Sequence, residues 1–211
     1  MKILPSAKNL PILLALIFLA ACAGPQKRCD YPLTGECARA QKVWQEAIDT
    51  IVTANFPEEW GRYLAVIWED DFDNAWVVRG HEINITRNFL NKMNRIQILC
   101  VAAHELAHLK LGHYYSRMGI IIVDQPVKDK SGKHSLESGH YGENIHMDIP
   151  RGFGELQEEE ADQLAIRYVE GARLPKRYYL DLLRVLLASG SDAETDLADR
   201  IEHIRRTYNI R

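Results

Sequence analysis

The sequence lacks an excess of basic residues and lacks internal repeats. Its 211 residues include 26 Lys and Arg against 29 Asp and Glu, a formal net charge of −3, so no basic surface is expected for a nucleic-acid partner. Hydrophobic residues make up 46% and charged residues 26%, which argues against disordered and fibrous classes. The absence of repeats and long linkers favours one globular domain.

Long apolar segments are also lacking, and the one near the N-terminus, residues 10–20, is too short to span a bilayer comfortably. It ends in Ala20-Ala21-Cys22, which resembles the bacterial lipobox, in which small residues admit the signal peptidase and the cysteine thiol accepts a diacylglycerol. Residues 1–21 are therefore predicted to be a lipoprotein signal peptide. Several acyl chains on Cys22 would then hold the protein stably at a membrane.

The alternative to a lipoprotein signal is a plain secretory signal peptide, in which Cys22 would be incidental. Ala23 follows Cys22 where an aspartate would signal retention, which favours the outer membrane and a domain facing the periplasm. In that oxidising compartment Cys29 and Cys37 are predicted to form a disulfide. Free thiols, or pairing with another chain, are the alternatives. Cys100 lies on the apolar side of a predicted helix and is expected to act as a small buried hydrophobe.

Apolar periodicity predicts an α+β domain over residues 39–211, preceded by a lipidated tether over residues 22–38. A strand is expected at 63–68, and a hairpin is expected to join 75–78 to 83–86. Residues 116–154 are expected to form mostly a mobile loop. The predicted helices span residues 38–54, 90–112, 156–169, 177–188 and 195–207.

His104-Glu105-Leu106-Ala107-His108 is the motif that carries chemistry. Positions i and i+4 share one helix face, so both imidazoles can bind one Zn²⁺ while Glu105 reaches the attacking water. The alternative is a solvated helix face that happens to carry two histidines. Apolar residues surround the motif on both sides, and histidines in such a setting need partners. The pattern therefore favours a zinc site.

A catalytic zinc generally has three protein ligands and one open position, so a third ligand is required. Leu111 and Tyr114 stand where a metzincin would have glycine and histidine, which excludes that class. In a gluzincin the third ligand is a glutamate from a later helix, and the acidic run at 158–162 is the obvious source. Helical spacing favours Glu158 because it continues the inward face, with Glu159 as the serious competitor.

The two motifs in this order resemble the HtpX- and BepA-like metallopeptidases, which are related to the CAAX prenyl proteases. Members combine a zinc-binding helix with a Glu-x-x-x-Asp helix, and that pattern falls here on Glu158 and Asp162. The likeness extends upstream through Asn74-Ala75 and includes His113, because a histidine five residues after the motif is common in the family. The resemblance implies a compact gluzincin domain, mostly helical, with a small β-sheet or hairpin beside the zinc helix.

The resemblance also implies roles for individual residues. His104, His108 and Glu158 would be the ligands of one Zn²⁺ per chain. Glu105 would be the general base, and Asp162 would orient one ligand imidazole.

A further implication is that Asn74 and Ala75 lie on a strand edge beside the metal, where an extended substrate can add by main-chain hydrogen bonds. Trp76 would line the same cleft, although a plain core aromatic is an equal alternative. The chain departs from the family after this strand, because residues 78–81 replace the usual Pro-Gly-Gly. It also lacks the usual His-Pro near the C-terminus, and Arg200 is the remaining candidate for steadying the oxyanion.

The leading functional hypothesis is a zinc-dependent endopeptidase of the bacterial envelope that cleaves unfolded or misassembled proteins. A zinc-binding lipoprotein that assists assembly and scarcely cleaves is the alternative, and a structural lipoprotein without metal is a third. The predicted loop contains His134, His140 and His146. One of these could reach the metal as a fourth ligand, or all three could be incidental polar residues.

Overall fold

The computed structural model describes residues 27–29, 32–114, 153–189 and 197–210. Residues 1–26, with the predicted signal peptide and Cys22, lie outside this set, as do the three loop histidines. The described chain is mostly helical with one small mixed sheet, which confirms the α+β class. No helix in the described ranges is both long and apolar enough to cross a membrane. The helices are α1 Gly35–Asn55, α2 Arg87–Lys92, α3 Arg95–Lys110, α4 Glu155–Gly171, α5 Arg177–Ala188 and α6 Leu197–Tyr208.

The sheet has four strands in the order β1-β2-β4-β3. The predicted hairpin is confirmed, because β3 and β4 pair antiparallel, with Ala75 opposite Ile85 and Val78 opposite Glu82. Strand β4 also pairs in parallel with β2, so it lies in the middle of the sheet and all five of its residues are buried. The strands are β1 Lys27–Arg28, β2 Leu64–Glu69, β3 Ala75–Val78 and β4 Glu82–Thr86.

Parts of the predicted tether lie in secondary-structure elements. Lys27 and Arg28 form an edge strand opposite Glu69 and Trp68, and α1 already begins at Gly35. Cys29 and Cys37 form a disulfide between these two elements, with their Cα atoms 6.0 Å apart.

The prediction of a single helix over residues 90–112 is wrong, because the helical conformation is interrupted between α2 and α3. Met93 is extended, with ψ of 145°. Asn94 then caps α3, since its side-chain oxygen accepts hydrogen bonds from the backbone N–H groups of Ile96 and Gln97. The Gln97 side chain accepts in return from the Asn94 backbone N–H at 2.8 Å. This capping box gives α3 its own start and separates it from α2.

Helix α3 lies at the centre of the molecule. Helix α3 is in contact with α1, α4, α5 and β3. These neighbours cover it on several sides, so five of its residues are completely buried: Cys100, Ala102, Ala103, Leu106 and Ala107. A helix that is apolar on every side is buried in a core rather than laid on a surface. The His-Glu-x-x-His motif lies in the C-terminal half of α3, so packing of this helix in the core fixes the position of the motif.

Candidate metal centre

The two motif histidines project from one face of α3 and bring their Nε2 atoms together. His104 Nε2 and His108 Nε2 lie 3.0 Å apart. The side chain of His108 is only 1% exposed, and that of His104 is 16% exposed. Two imidazole nitrogens that converge at a partly open point form half of a metal site, as the i, i+4 spacing predicts.

Glu158 from the first turn of α4 completes this group. Its Oε2 lies 3.2 Å from His104 Nε2, and its Oε1 lies 3.5 Å from His108 Nε2. One potential ligand atom from each of the three residues lies within 4.8 Å of those of the other two. Two imidazoles and one carboxylate are the donor set of a catalytic zinc that keeps an open position. The three residues therefore fit such a metal ion.

The described residues contain one other cluster of potential ligands, formed by Cys29, Cys37 and Glu69. Its two sulfur atoms are joined in the disulfide, so neither is a thiolate that could bind a metal. Within the described ranges, the histidine and glutamate group is therefore the one candidate metal centre.

Two buried side chains, Asp162 and Tyr179, lie behind His104. The Tyr179 hydroxyl on α5 lies 2.8 Å from His104 Nδ1 and donates a hydrogen bond to Asp162 Oδ1 at 2.6 Å. Asp162 Oδ1 itself lies 3.3 Å from His104 Nδ1. A hydroxyl and a carboxylate at Nδ1 orient the imidazole so that Nε2 points toward Glu158. This is the contact that the resemblance implied for Asp162, with Tyr179 added to it.

Arg200 on α6 is buried beside the same carboxylates. Its Nε and Nη2 donate to the two oxygens of Asp162 at 2.8 and 2.6 Å, and its Nη1 lies 3.0 Å from Glu158 Oε2. The side chain is 3% exposed. A guanidinium engaged in this way holds two carboxylates in place. In the structure Arg200 therefore contacts the carboxylates of the site, and its predicted contact with the oxyanion stays a prediction.

The pKa values of His104, His108 and Glu158 indicate that a positive charge is stabilised where the three side chains meet. Burial disfavours the imidazolium of His104, but hydrogen bonds with Asp162 and Glu158 outweigh burial and raise the pKa of His104 to about 10. Burial and the neighbouring His104 lower the pKa of His108 to about 4. Burial opposes ionisation of Glu158, yet its contacts with both imidazoles hold its pKa far below the usual range. An ionised carboxylate facing both histidines suits a metal cation.

The other two glutamates of the acidic run point elsewhere. Glu159 Oε1 lies 3.9 Å from His203 Nδ1 on α6. Glu160 is 63% exposed, and its Oε2 lies 3.1 Å from His113 Nε2. The structure thus brings Glu158 alone of the three to the motif histidines. Glu105, which follows His104 on α3, is a buried carboxylate.

The predicted substrate strand, β3, is one of the two outer strands of the described sheet. Asn74 precedes β3, and its backbone N–H and C=O both bond to Thr86, at 3.3 and 2.9 Å. Ala75 begins β3, and α3 packs against this strand. Trp76 is half-buried and its ring lies 5.7 Å from that of Trp68. Ala75 and Trp76 therefore lie on a strand next to the motif helix, and Asn74 directly precedes that strand.

A model of peptidase family M48 matches residues 37–207. The chain belongs to peptidase family M48. This places it among the metallopeptidases, and the match runs from the first turn of α1 to the last turn of α6. Comparison with curated proteins gives no match.

Sequence reasoning did not assign two residues of this M48 site. Tyr179 is 75 residues from His104 in the chain, and helical phase could show only that it faces inward. His113 was noticed as an additional histidine but received no role. A helix stop at Gly112, directly before it, was the available indication that His113 turns back toward the motif.

Proposed function

We propose that the chain is a zinc-dependent endopeptidase of the gluzincin, HtpX- and BepA-like type, with His104, His108 and Glu158 as the zinc ligands. The convergence of their Nε2 and carboxylate oxygen atoms on one point, in an M48 chain, is the observation that carries this proposal. Zinc bound there would activate water at neutral pH and polarise the scissile carbonyl as a Lewis acid.

The remaining roles belong to side chains of the protein itself. Glu105 accepts the proton of the attacking water and passes it to the leaving amine. Asp162 and Tyr179 hold His104 at its Nδ1 atom, and Arg200 holds Asp162 and Glu158. Such supporting contacts keep the ligands in one geometry and reduce their reorganisation during reaction.

The substrate is proposed to bind as an extended peptide along β3, with Asn74, Ala75 and Trp76 lining the cleft. Strand β3 is at one end of the sheet, pairs with β4 alone among the described strands, and lies against α3. An extended peptide can add to such an edge through main-chain hydrogen bonds, largely independent of its sequence. This mode suits unfolded or misassembled proteins, which expose extended segments.

The protein is proposed to act in the bacterial cell envelope as a lipoprotein facing the periplasm, anchored at the outer membrane through Cys22. The Ala20-Ala21-Cys22 sequence supports the anchor. The Cys29–Cys37 disulfide supports export, because disulfides persist in oxidising compartments.

Digestion of an unfolded protein such as casein tests the peptidase function. The purified protein is expected to contain one zinc ion per chain and to cleave casein at internal bonds. A chelator should stop the cleavage and added zinc should restore it. Stoichiometric zinc without cleavage would favour an assembly factor, and absence of zinc binding would refute the metal site.

Replacement of the predicted lipidation site tests the anchor. Cys22→Ser is expected to leave the protein unprocessed, with its signal segment still attached, because the modified thiol is needed before cleavage. Mass spectrometry of the protein recovered from the membrane fraction measures both the acyl chains and the N-terminus. Normal processing and acylation of the variant would show that another residue carries the lipid.

A further inference from the structure

His113 links the ligand His108 to the surface of the protein. His108 Nδ1 lies 2.9 Å from His113 Nδ1, and His113 Nε2 lies 3.1 Å from Glu160 Oε2. His113 is 5% exposed, whereas the Glu160 side chain is 63% exposed. A continuous line of contacts therefore runs from the metal centre through one buried histidine to a solvated carboxylate.

The local fold explains how His113 reaches His108. Helix α3 ends at Lys110, and Gly112 adopts a left-handed conformation with φ of 70°. Glycine enters this region without the steric cost that a side chain brings, so the chain turns sharply after the helix. His113 is thereby returned beside His108, whose ring is stacked on Phe153 with the ring centroids 3.9 Å apart.

The positions of the protons on His108 and His113 follow from the metal at one end of this line of contacts and from Glu160 at the other. If His108 gives its Nε2 lone pair to a metal, its Nδ1 must carry the proton and donate it outward. His113 Nδ1 must then be the acceptor, so the His113 proton resides on Nε2. That N–H points at Glu160, which is an acceptor when ionised. All three residues are satisfied by a single arrangement, and it leaves the His108 Nε2 lone pair directed at His104 and Glu158.

We propose that His113 is a positioning residue that holds His108 as a metal ligand by accepting a hydrogen bond from its Nδ1, with Glu160 fixing the tautomer of His113. The proposal rests on the proposed zinc site. It gives the two ligand histidines separate supports: Asp162 and Tyr179 for His104, and His113 for His108.

Zinc affinity of three variants tests this role, with Zn²⁺ titrated against a chromophoric chelator. His113→Leu fills a similar volume without an acceptor and is expected to weaken zinc binding by about 10–100-fold, as lost outer partners of metal ligands do. His113→Asn places an amide oxygen near the position of Nδ1 and is expected to keep most of the affinity. His203→Leu is the matched control, because His203 lies on α6 and faces Glu159 and Gln163 of α4 rather than a ligand histidine.

A proton NMR spectrum of the zinc-loaded protein gives a readout independent of activity. The Nδ1–H of His108 should appear as an exchange-protected imidazole resonance in the wild type and in His113→Asn, and should be lost in His113→Leu. Wild-type affinity in His113→Leu, or equal loss in the Leu and Asn variants, would overturn the proposal. Failure of the wild type to bind zinc would instead refute the proposed site itself, and circular dichroism of each variant confirms its fold.

Discussion

Glu105→Gln is expected to abolish measurable peptide hydrolysis while zinc content and the folded structure remain at wild-type levels. The amide has nearly the size of the carboxylate but cannot take a proton from the attacking water. General-base assistance is typically worth about 10²–10⁴ in rate. Zinc should be retained because the ligand atoms belong to His104, His108 and Glu158, none of which is changed.

The measurement is kcat/KM on a fluorogenic peptide that the wild type cleaves, together with zinc analysis of the same sample. Glu159→Gln is the matched control, since it makes the same chemical change on a residue that faces His203 rather than the ligands. Turnover of the Glu105 variant at the wild-type rate would exclude Glu105 as the base. Loss of zinc from this variant would show that the residue also supports the metal.

Glu158→Gln is expected to remove most of the zinc from the protein. Glu158 is the one glutamate of its run whose oxygens reach both motif histidines, at 3.2 and 3.5 Å. Its substitution removes the negative charge that would bind the metal and that pairs with Arg200 Nη1. Loss of a supporting residue alone usually costs about 10–100-fold in metal affinity, so loss of a ligand should exceed that range.

Glu159→Gln and Glu160→Gln are expected to retain zinc near the wild-type level. An amide at position 160 still offers an oxygen that can accept the hydrogen bond from His113 Nε2. Zinc stoichiometry after dialysis against a mild chelator compares the three variants directly. Retention by the Glu158 variant with loss by the Glu159 variant would mean that α4 presents a different face to the metal.

Short periodic patterns were readable in the sequence because they depend on local geometry. The spacing of His104 and His108 predicted two imidazoles on one helix face, and the structure places their Nε2 atoms 3.0 Å apart. Helical rotation of about 100° per residue favoured Glu158 over its neighbours, and only Glu158 reaches those imidazoles. The β3–β4 hairpin could also be predicted, because two strand-like runs on either side of a short turn are a local pattern as well.

The break between α2 and α3 was missed because apolar periodicity continues through it. The capping side chains of Asn94 and Gln97 decide that boundary, and their pattern is easily overlooked inside a long apolar stripe. Strand β1 was missed because two residues carry no periodic signal, and it exists only through pairing with β2.

The groups that the proposed chemistry needs were readable from the sequence alone: the motif histidines, the glutamate between them and a later helix with a carboxylate on the matching face. Tertiary structure decided what supports them. Tyr179 and Arg200 reach Asp162 from two other helices, and the left-handed turn at Gly112 brings His113 to His108. Such contacts depend on how helices pack, because that packing joins residues far apart in the chain, and no local spacing encodes it.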